Sequence, residues 1–376
     1  MTVQVTCQLA GGTAVTDITS SVVQVSVQRG RTDETEAFQT GRASFTVRNR
    51  AGTFDPAGTP FRLRDDVVVY WTGGGTAIPV FTGFVEDVTL DYDLSGDAVA
   101  QVSCVDGLAL LANQTLVDQA VVEEQSGERV TAVLGNAGVS WPAGTAIDTG
   151  ISELAAGTAT GNALAYLRQV EESEQGYLYV DRAGVLTFRN RHTTLNNPIA
   201  GTQFSDDGGG IPYEQVARFS GARTLFNKVT GELEDGTARE ADDLASQAEF
   251  SIRTLGIGTV LLRAASVLEE FVEYLLNQFS QPTTRVDSLT VNLDRLSTAD
   301  QEKLASFELV DICDVEFTPP GRSQFTDELL VQGVTHTVTV GGAWRTTLSF
   351  QPRDTRSFLT LDEDPEGKLD ENVLAF

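Results

Sequence analysis

Residues 29–56 read RGRTDETEAFQTGRASFTVRNRAGTFDP. Val23, Val25 and Val27 lead into this stretch, alternating with Gln24 and Ser26. After a charged, breaker-rich segment, Ala43, Phe45 and Val47 alternate with Ser44, Thr46 and Arg48. Period two is what a strand with one buried face requires. Asn49-Arg50-Ala51-Gly52 reads as a turn, and Phe54-Asp55-Pro56 as an extended, pre-proline end. Two paired strands closed by a tight turn are the expectation.

The rest of residues 1–107 has the same texture. Val67-Val68-Val69-Tyr70-Trp71 is an apolar run of strand length, turned by Gly73-Gly74-Gly75. Val80-Phe81-Thr82-Gly83-Phe84-Val85 follows, then Val88, Leu90 and Tyr92 in alternation. A turn at Ser95-Gly96-Asp97 precedes a strand through Val99, Val102 and Cys104. Closely spaced strands broken by glycine-rich turns predict an antiparallel sandwich or barrel. Gly83, inside its strand, reads as a bulge or a close backbone approach.

The pattern changes after Val105-Asp106-Gly107. Leu108, Leu111 and Ala112 have helical spacing. Ser126 is placed to cap a second helix, with Val130, Val133, Leu134 and Ala137 on one face and Gly138 as its stop. Residues 141–157 read as loop. A third helix, from near Thr160, turns Ala163, Tyr166, Leu167 and Val170 inward and Arg168, Gln169, Glu171 and Glu172 outward. A hairpin follows: Tyr177-Leu178-Tyr179-Val180 and Val185-Leu186-Thr187-Phe188 about Asp181-Arg182-Ala183-Gly184. Tyr177 and Tyr179 would stack sugars if exposed; a core position is the expectation. Residues 108–221 are therefore expected to form an α/β unit between strand-rich halves.

Strands return near Phe226-Asn227-Lys228-Val229-Thr230-Gly231. One helix interrupts them. Its Val267, Leu268, Phe271, Val272, Leu275, Leu276 and Phe279 oppose Glu269, Glu270 and Glu273, and Pro282 ends it. Val286, Leu289, Val291 and Leu293 return to alternation, Ser297 opens a helical turn, and residues 310–317, 329–340 and 344–350 read as three further strands. Residues 354–376 are acidic, with too little apolar surface to fold alone. They are expected to order only against another domain or chain.

At 376 residues, with 41% hydrophobic and 21% charged residues, the chain has room for two or three ordinary domains. No apolar run approaches the roughly 20 residues that span a bilayer. The N-terminus MTVQVTCQLAGG lacks the basic and apolar regions of a signal peptide. Cys7, Cys104 and Cys313 are far apart and without metal-ligand spacing, so buried free thiols of a reducing compartment are expected. The net charge is −27, from 53 acidic against 26 basic side chains. Such a surface repels phosphate backbones and argues against non-specific nucleic-acid binding.

Convergent chemistry is not visible. His192 follows Arg189-Asn190-Arg191, which reads as a solvated hairpin end; His336 shares a strand face with Val334 and Val338 and reads as a half-buried structural imidazole. No GxSxG or HExxH motif is present. Asp206 and Asp207 beside Gly208-Gly209-Gly210 lack the EF-hand spacing, and no GK[ST] follows these glycines. A connector is the preferred reading. Abundant carboxylates permit a glycosidase pair, but nothing singles one out. No catalytic, cofactor or metal residue is assigned.

Arg29-Gly30-Arg31, Phe38-x-x-Gly41 and Asn49-x-x-Gly52-x-Phe54-Asp55-Pro56 resemble the N-terminal signature of minor tail proteins of long-tailed phages. Later segments resemble that family, in its actinobacterial siphophage members, in the same order. These are residues 80–85, Val105-Asp106-Gly107, the hairpin at 179–188, Val331-x-Gly333-Val334-x-His336-x-Val338, Trp344-x-Thr346-x-Leu348-Ser349-Phe350, and the tail from Leu361-Asp362-Glu363-Asp364-Pro365 to Leu374-Ala375-Phe376.

The resemblance implies a tail-tip or baseplate hub. The implied fold is mainly β: two tail-tube-like antiparallel β-barrel domains, 1–107 and 222–352, flank an inserted α/β domain, 108–221, and an acidic tail, 353–376, follows. The implied role is that of a structural virion protein, not an enzyme. A homotrimer would mate with the hexameric tube and let DNA pass without specific binding. Implied partners are the distal tail or tail tube protein, the tape measure protein, and other minor tail or receptor-binding proteins. No cofactor is implied. One alternative is a hexameric distal tail protein with a carbohydrate-binding appendage. Another is a tail-associated cell-wall hydrolase, which would need a separable catalytic domain. Two strand-rich halves favour the hub. In such a ring the acidity predicts a net negative inner face, with Lys and Arg at subunit contacts or outside.

Overall fold

The computed structural model describes residues 2–32, 36–94, 97–193, 202–282 and 284–353. The acidic segment 354–376, and the expectation that it orders against a neighbour, lie outside the described residues.

The chain is mainly β. Seven strands come from the N-terminal stretch: β1 (Thr2–Gln8), β2 (Val15–Asp17), β3 (Val22–Gly30), β4 (Gln39–Arg48), β5 (Asp66–Gly73), β6 (Thr76–Tyr92) and β7 (Ala98–Val105). Six come from later: β8 (Gln203–Phe204), β9 (Gln215–Ser220), β10 (Thr284–Asn292), β11 (Ile312–Phe317), β12 (Phe325–Thr339) and β13 (Trp344–Pro352). All thirteen belong to one sheet. Its path is β9-β10-β13-β12-β3-β4-β7-β6-β5-β1-β2, with β11 on the same edge of β12 as β3 and β8 on β11.

The two strand-rich halves meet where β3 pairs antiparallel with β12, Val27 opposite His336 and Gly30 opposite Gly333. One core serves both, with Val25, Phe45 and Trp71 in the same cluster as Val291, Val334 and Trp344. Among the described residues the pairing is an open path with no closed barrel, whereas the family resemblance implied two β-barrel domains. Alternation along β3 identifies its buried face but carries no information on which strand lies along its second edge. The turn after β4 forms as read. Asn49 Oδ1 accepts from Phe54 N at 2.9 Å, Asn49 Nδ2 donates to Asp55 Oδ1 at 2.7 Å, and Gly52 takes φ +68°. Phe54 stacks on Phe61, their centroids 4.8 Å apart.

A second layer holds α1 (Leu108–Leu111), α2 (Ser126–Leu134), α3 (Ala163–Glu174), α4 (Leu244–Phe250) and α5 (Ala265–Phe279). Its core joins Leu108, Leu167 and Phe188 to Val229, Leu268 and Phe271, so it draws on stretches either side of residue 221. The apolar stripe of α5 needs a partner. It finds one in a three-stranded sheet of Lys228–Leu233, Ala238–Asp242 and Thr254–Val260, on which α5 packs. Gly231 makes room: a Cβ there would lie 3.1 Å from Leu268 and 3.3 Å from Val272. A last helix, α6 (Thr298–Ser306), is capped by Ser297 and lies on β5 and β6.

Several local readings change. Residues 141–157 contain two short strands, Thr145–Ile147 and Glu153–Leu154. The N-cap of α2 is Gln125, in a reciprocal box with Glu128. Ser126 instead donates to Glu174 at 2.7 Å. The outward face of α3 is not solvated: Glu171 and Glu174 are buried. Arg191 is buried as well, donating to Ser152 Oγ at 2.8 Å and Glu174 O at 2.9 Å. The cause is shared, since α3 is enclosed on both sides and its carboxylates satisfy buried backbone N–H groups of neighbouring segments.

Candidate functional site

The residues that matter most to the architecture collect where the two halves and the second layer meet. The hairpin Tyr177–Val180 and Leu186–Arg189 is the rivet. Tyr177 and Tyr179 enter the core of the large sheet, and Leu178 and Val180 enter the second core. A strand buried on both faces fixes one layer against the other.

Arg29, at the end of β3, is 3% exposed and ion-paired with Glu308, in the turn before β11. Glu308 also accepts from Leu309 N at 2.9 Å and, from the hairpin tip, Arg182 N at 2.8 Å. The carbonyl of Arg182 accepts from Thr82 Oγ1 of β6 at 2.9 Å. One residue of the second layer thereby bridges both halves of the sheet. Tyr179 adds a 3.2 Å bond from its hydroxyl to Leu309 O.

Next to this pair, Gly30 has φ +95° and packs against the backbone of β12. Arg31 donates to Gln332 Oε1 at 2.6 Å and lays its guanidinium over Phe38, 4.7 Å from the ring centroid. Phe38 O accepts from Arg168 of α3. Asp106 receives Gly41 N at 2.6 Å and Leu108 N at 2.9 Å, tying β4 to the first turn of α1. Burial pushes the Asp106 carboxyl up to about 7, against the opposing pull of those two N–H groups, Arg29 and Arg168. Burial likewise raises Asp311, which accepts Glu308 N at 2.8 Å, to about 6. A cleft of about 270 Å³ opens beside the junction, lined by Arg31, Arg168, Glu171, Tyr177 and Tyr274.

Arg29, Gly30, Arg31, Phe38, Gly41, Asp106, the 179–188 hairpin and Gly333 were each singled out in the sequence, and the fold brings them together. Glu308, Asp311 and Arg168 were missed as members of this group. Glu308 and Asp311 sit in an unremarkable turn between α6 and β11, and no local pattern marks a carboxylate destined for a buried arginine. What the arrangement can do is mechanical. It clamps three segments with charge-assisted bonds in a dry setting.

The other singled-out residues lie elsewhere. His336 is fully buried rather than half-buried; Trp344 Nε1 lies 3.3 Å and Thr346 Oγ1 2.8 Å from its Nδ1. Burial lowers His336 to about 3, which keeps the ring neutral. His192 stands at the end of the hairpin in the second layer. Asp206 accepts Thr318 N at 2.8 Å, and Asp207 accepts Gly209 N at 2.8 Å. Among the described residues no group of three or more His, Cys, Asp or Glu is arranged to hold a metal ion. Cys7, Cys104 and Cys313 are buried free thiols. No helix of the described residues is long and apolar enough to cross a membrane.

No protein-family model matches the chain, and neither does any curated protein sequence. Solved structures do match. The 43 kDa tail protein of prophage MuSo2 from Shewanella oneidensis aligns over 93% of this chain and 98% of its own, with TM-score 0.62 and 14% identity. The tail protein from Neisseria meningitidis MC58 aligns over 94% and 97%, with TM-score 0.64 and 11% identity. An E. coli protein, c3393, described as a type VI secretion component structurally similar to T4 tail proteins gp27 and gp5, covers 93% of this chain and 77% of its own at TM-score 0.52 and 11% identity. Across nearly its whole length, this chain has the fold of prophage tail proteins.

Proposed function

We propose that this chain is a structural protein of a phage tail, positioned at the tip or baseplate as a hub. In this reading it assembles as a homotrimer that closes the distal end of the tube. It joins the tail tube or distal tail protein, and the tape measure protein, to other minor tail or receptor-binding proteins. DNA leaves through it without specific binding. The two strand-rich stretches, within 1–107 and 222–352, act as tube-like units that give three chains a six-fold-like face. Residues 108–221 supply the inserted α/β part, and 353–376 the acidic tail.

The observation that supports this reading best is coverage. The chain overlays whole tail proteins from end to end and not one module of them. The clamp of Arg29, Glu308 and Arg182 fits a part that must hold its shape as a conduit. Light scattering on the purified chain tests the assembly, with three times the 40.3 kDa chain mass as the expected result. Gold-labelled antibody on virions tests the place. Label along the shaft or on the capsid would refute a tip location.

A further inference from the structure

We propose that two open edges of the large sheet pair between copies of this chain: β9 of one copy lies along residues 86–92 of β6 in the next. The pairing presupposes the oligomeric hub proposed above and names the contact that closes its ring.

Among the described residues, strand β9 ends the sheet and pairs with β10 alone. Strand β6 changes neighbours halfway. Residues 76–84 pair with β5, and residues 84–92 pair with β7. No strand of the described residues lies along the other edge of 86–92. Each edge therefore presents unpaired backbone groups, which is the template a further strand adds to. Their lengths match, at six residues and seven.

The side chains of the two edges are complementary. Glu86, Asp87 and Asp91 are exposed on β6, around half-buried Val88 and Leu90. On β9, Arg218 is exposed and stacks on Phe325 at 3.8 Å, and none of the ion pairs found among the described residues involves it. Half-buried Val216 and Phe219 flank it; Arg223, beyond the strand, stacks on Phe219 at 4.4 Å and is already ion-paired with Asp287, so Arg218 is the basic group this edge offers. In a chain with 26 basic against 53 acidic residues, an edge with an exposed Arg218 is a scarce surface that an acidic copy can approach. Two β6 edges would set carboxylate against carboxylate, and two β9 edges arginine against arginine. Like-charged neighbours on paired strands oppose association. The contact is therefore heterologous, head to tail, which is the kind that generates rings.

Light scattering against concentration tests this with Arg218→Glu, Asp87→Arg and the double variant. Each single variant is expected to weaken assembly on the order of tenfold or more, and the double variant to recover it. A second measurement uses Ala217→Cys with Thr89→Cys in one chain under oxidising conditions, where covalently linked multimers are expected. It decides the matter if a charge variant fails to fold. An assembled wild type whose single variants assemble equally well, or a cysteine pair that links no copies, overturns the edge pairing and leaves the hub standing. A wild type that stays monomeric at every concentration overturns both.

Discussion

Gly30 and Gly333 face each other across the strand pair that joins the two halves, and a methyl group on Gly30 would stand 2.7 Å from the Cα of Gly333. It would also stand 2.2 Å from the carbonyl oxygen of Gln332. Both glycines lie at register shifts, of β3 against β4 and of β12 against β13. The joint is thus a close backbone approach that no side chain fits. Gly30→Ala is expected to cost more than about 3 kcal/mol, combining positive φ with a backbone clash. Gly75→Ala is the control: φ is +90° there, but nothing lies within 4 Å of the new methyl. It should cost on the order of 1 kcal/mol. Urea unfolding of both variants measures the difference, and equal costs would show that β3 and β12 separate freely.

Glu308 holds Arg29 and the Arg182 amide together, so its charge is worth more than that of a surface carboxylate. Glu308→Gln leaves the Arg29 guanidinium buried without its ion-pair partner. The expected loss is about 3 kcal/mol. Thr82→Val removes only one bond from the same bridge and is expected to cost about 1 kcal/mol. Denaturation midpoints of the two variants give this ranking directly, and the reverse order would mean that Thr82 carries the clamp.

Strand texture, the hairpin at 177–189 and the helices were legible because each rests on a local period. Alternation in β4 and the 3.6-residue stripe of α5 are carried by their own residues. What closes the molecule was not legible, for the same reason. Nothing in Val22–Gly30 says that its free edge meets Phe325–Thr339, some 300 positions away in the chain. Nothing in Glu171 or Arg191 distinguishes a carboxylate or guanidinium with buried partners from one in water. The junction was half legible. Its glycines and Arg29 stand out in sequence, while Glu308 is one carboxylate among 53 acidic residues.

Asp106 makes the junction sensitive to pH. Its folded value of about 7 lies above the ordinary 3.8. Between these values the folded chain keeps a proton that the unfolded chain releases. Stability from this group is therefore full below about pH 4 and is lost as pH rises through 7. Asp106→Asn removes the titration. The stability of the wild type minus that of the variant is expected to fall between pH 5 and 7, by on the order of 1 kcal/mol per unit. A flat difference across that window would mean that Asp106 is ionised throughout.

Residues 354–376 carry too little apolar surface to build a core of their own. Deleting them is expected to leave the melting temperature of the body within a few degrees. The effect should appear in assembly, as a higher concentration needed to form multimers. Unchanged assembly in light scattering would count against a role for this segment between chains.

The last prediction concerns the excess of 53 acidic over 26 basic side chains. DNA carries one charge per roughly 1.7 Å of axis, and a basic channel would bind it by releasing counterions. An acidic channel leaves it mobile, because repulsion acts across a Debye length of about 10 Å at 0.1 M salt. If basic groups are consumed at contacts such as Arg218, the inward faces of a ring are left net negative. Two measurements check this. The assembled protein is expected to leave the mobility of double-stranded DNA unchanged at about 0.05 M salt, where electrostatic binding is strong. A density map of the ring is expected to show more carboxylates than guanidinium and ammonium groups facing the axis. A retarded DNA band or a basic inner face would sink the charge argument, while the proposal of a tail-tip hub would stand.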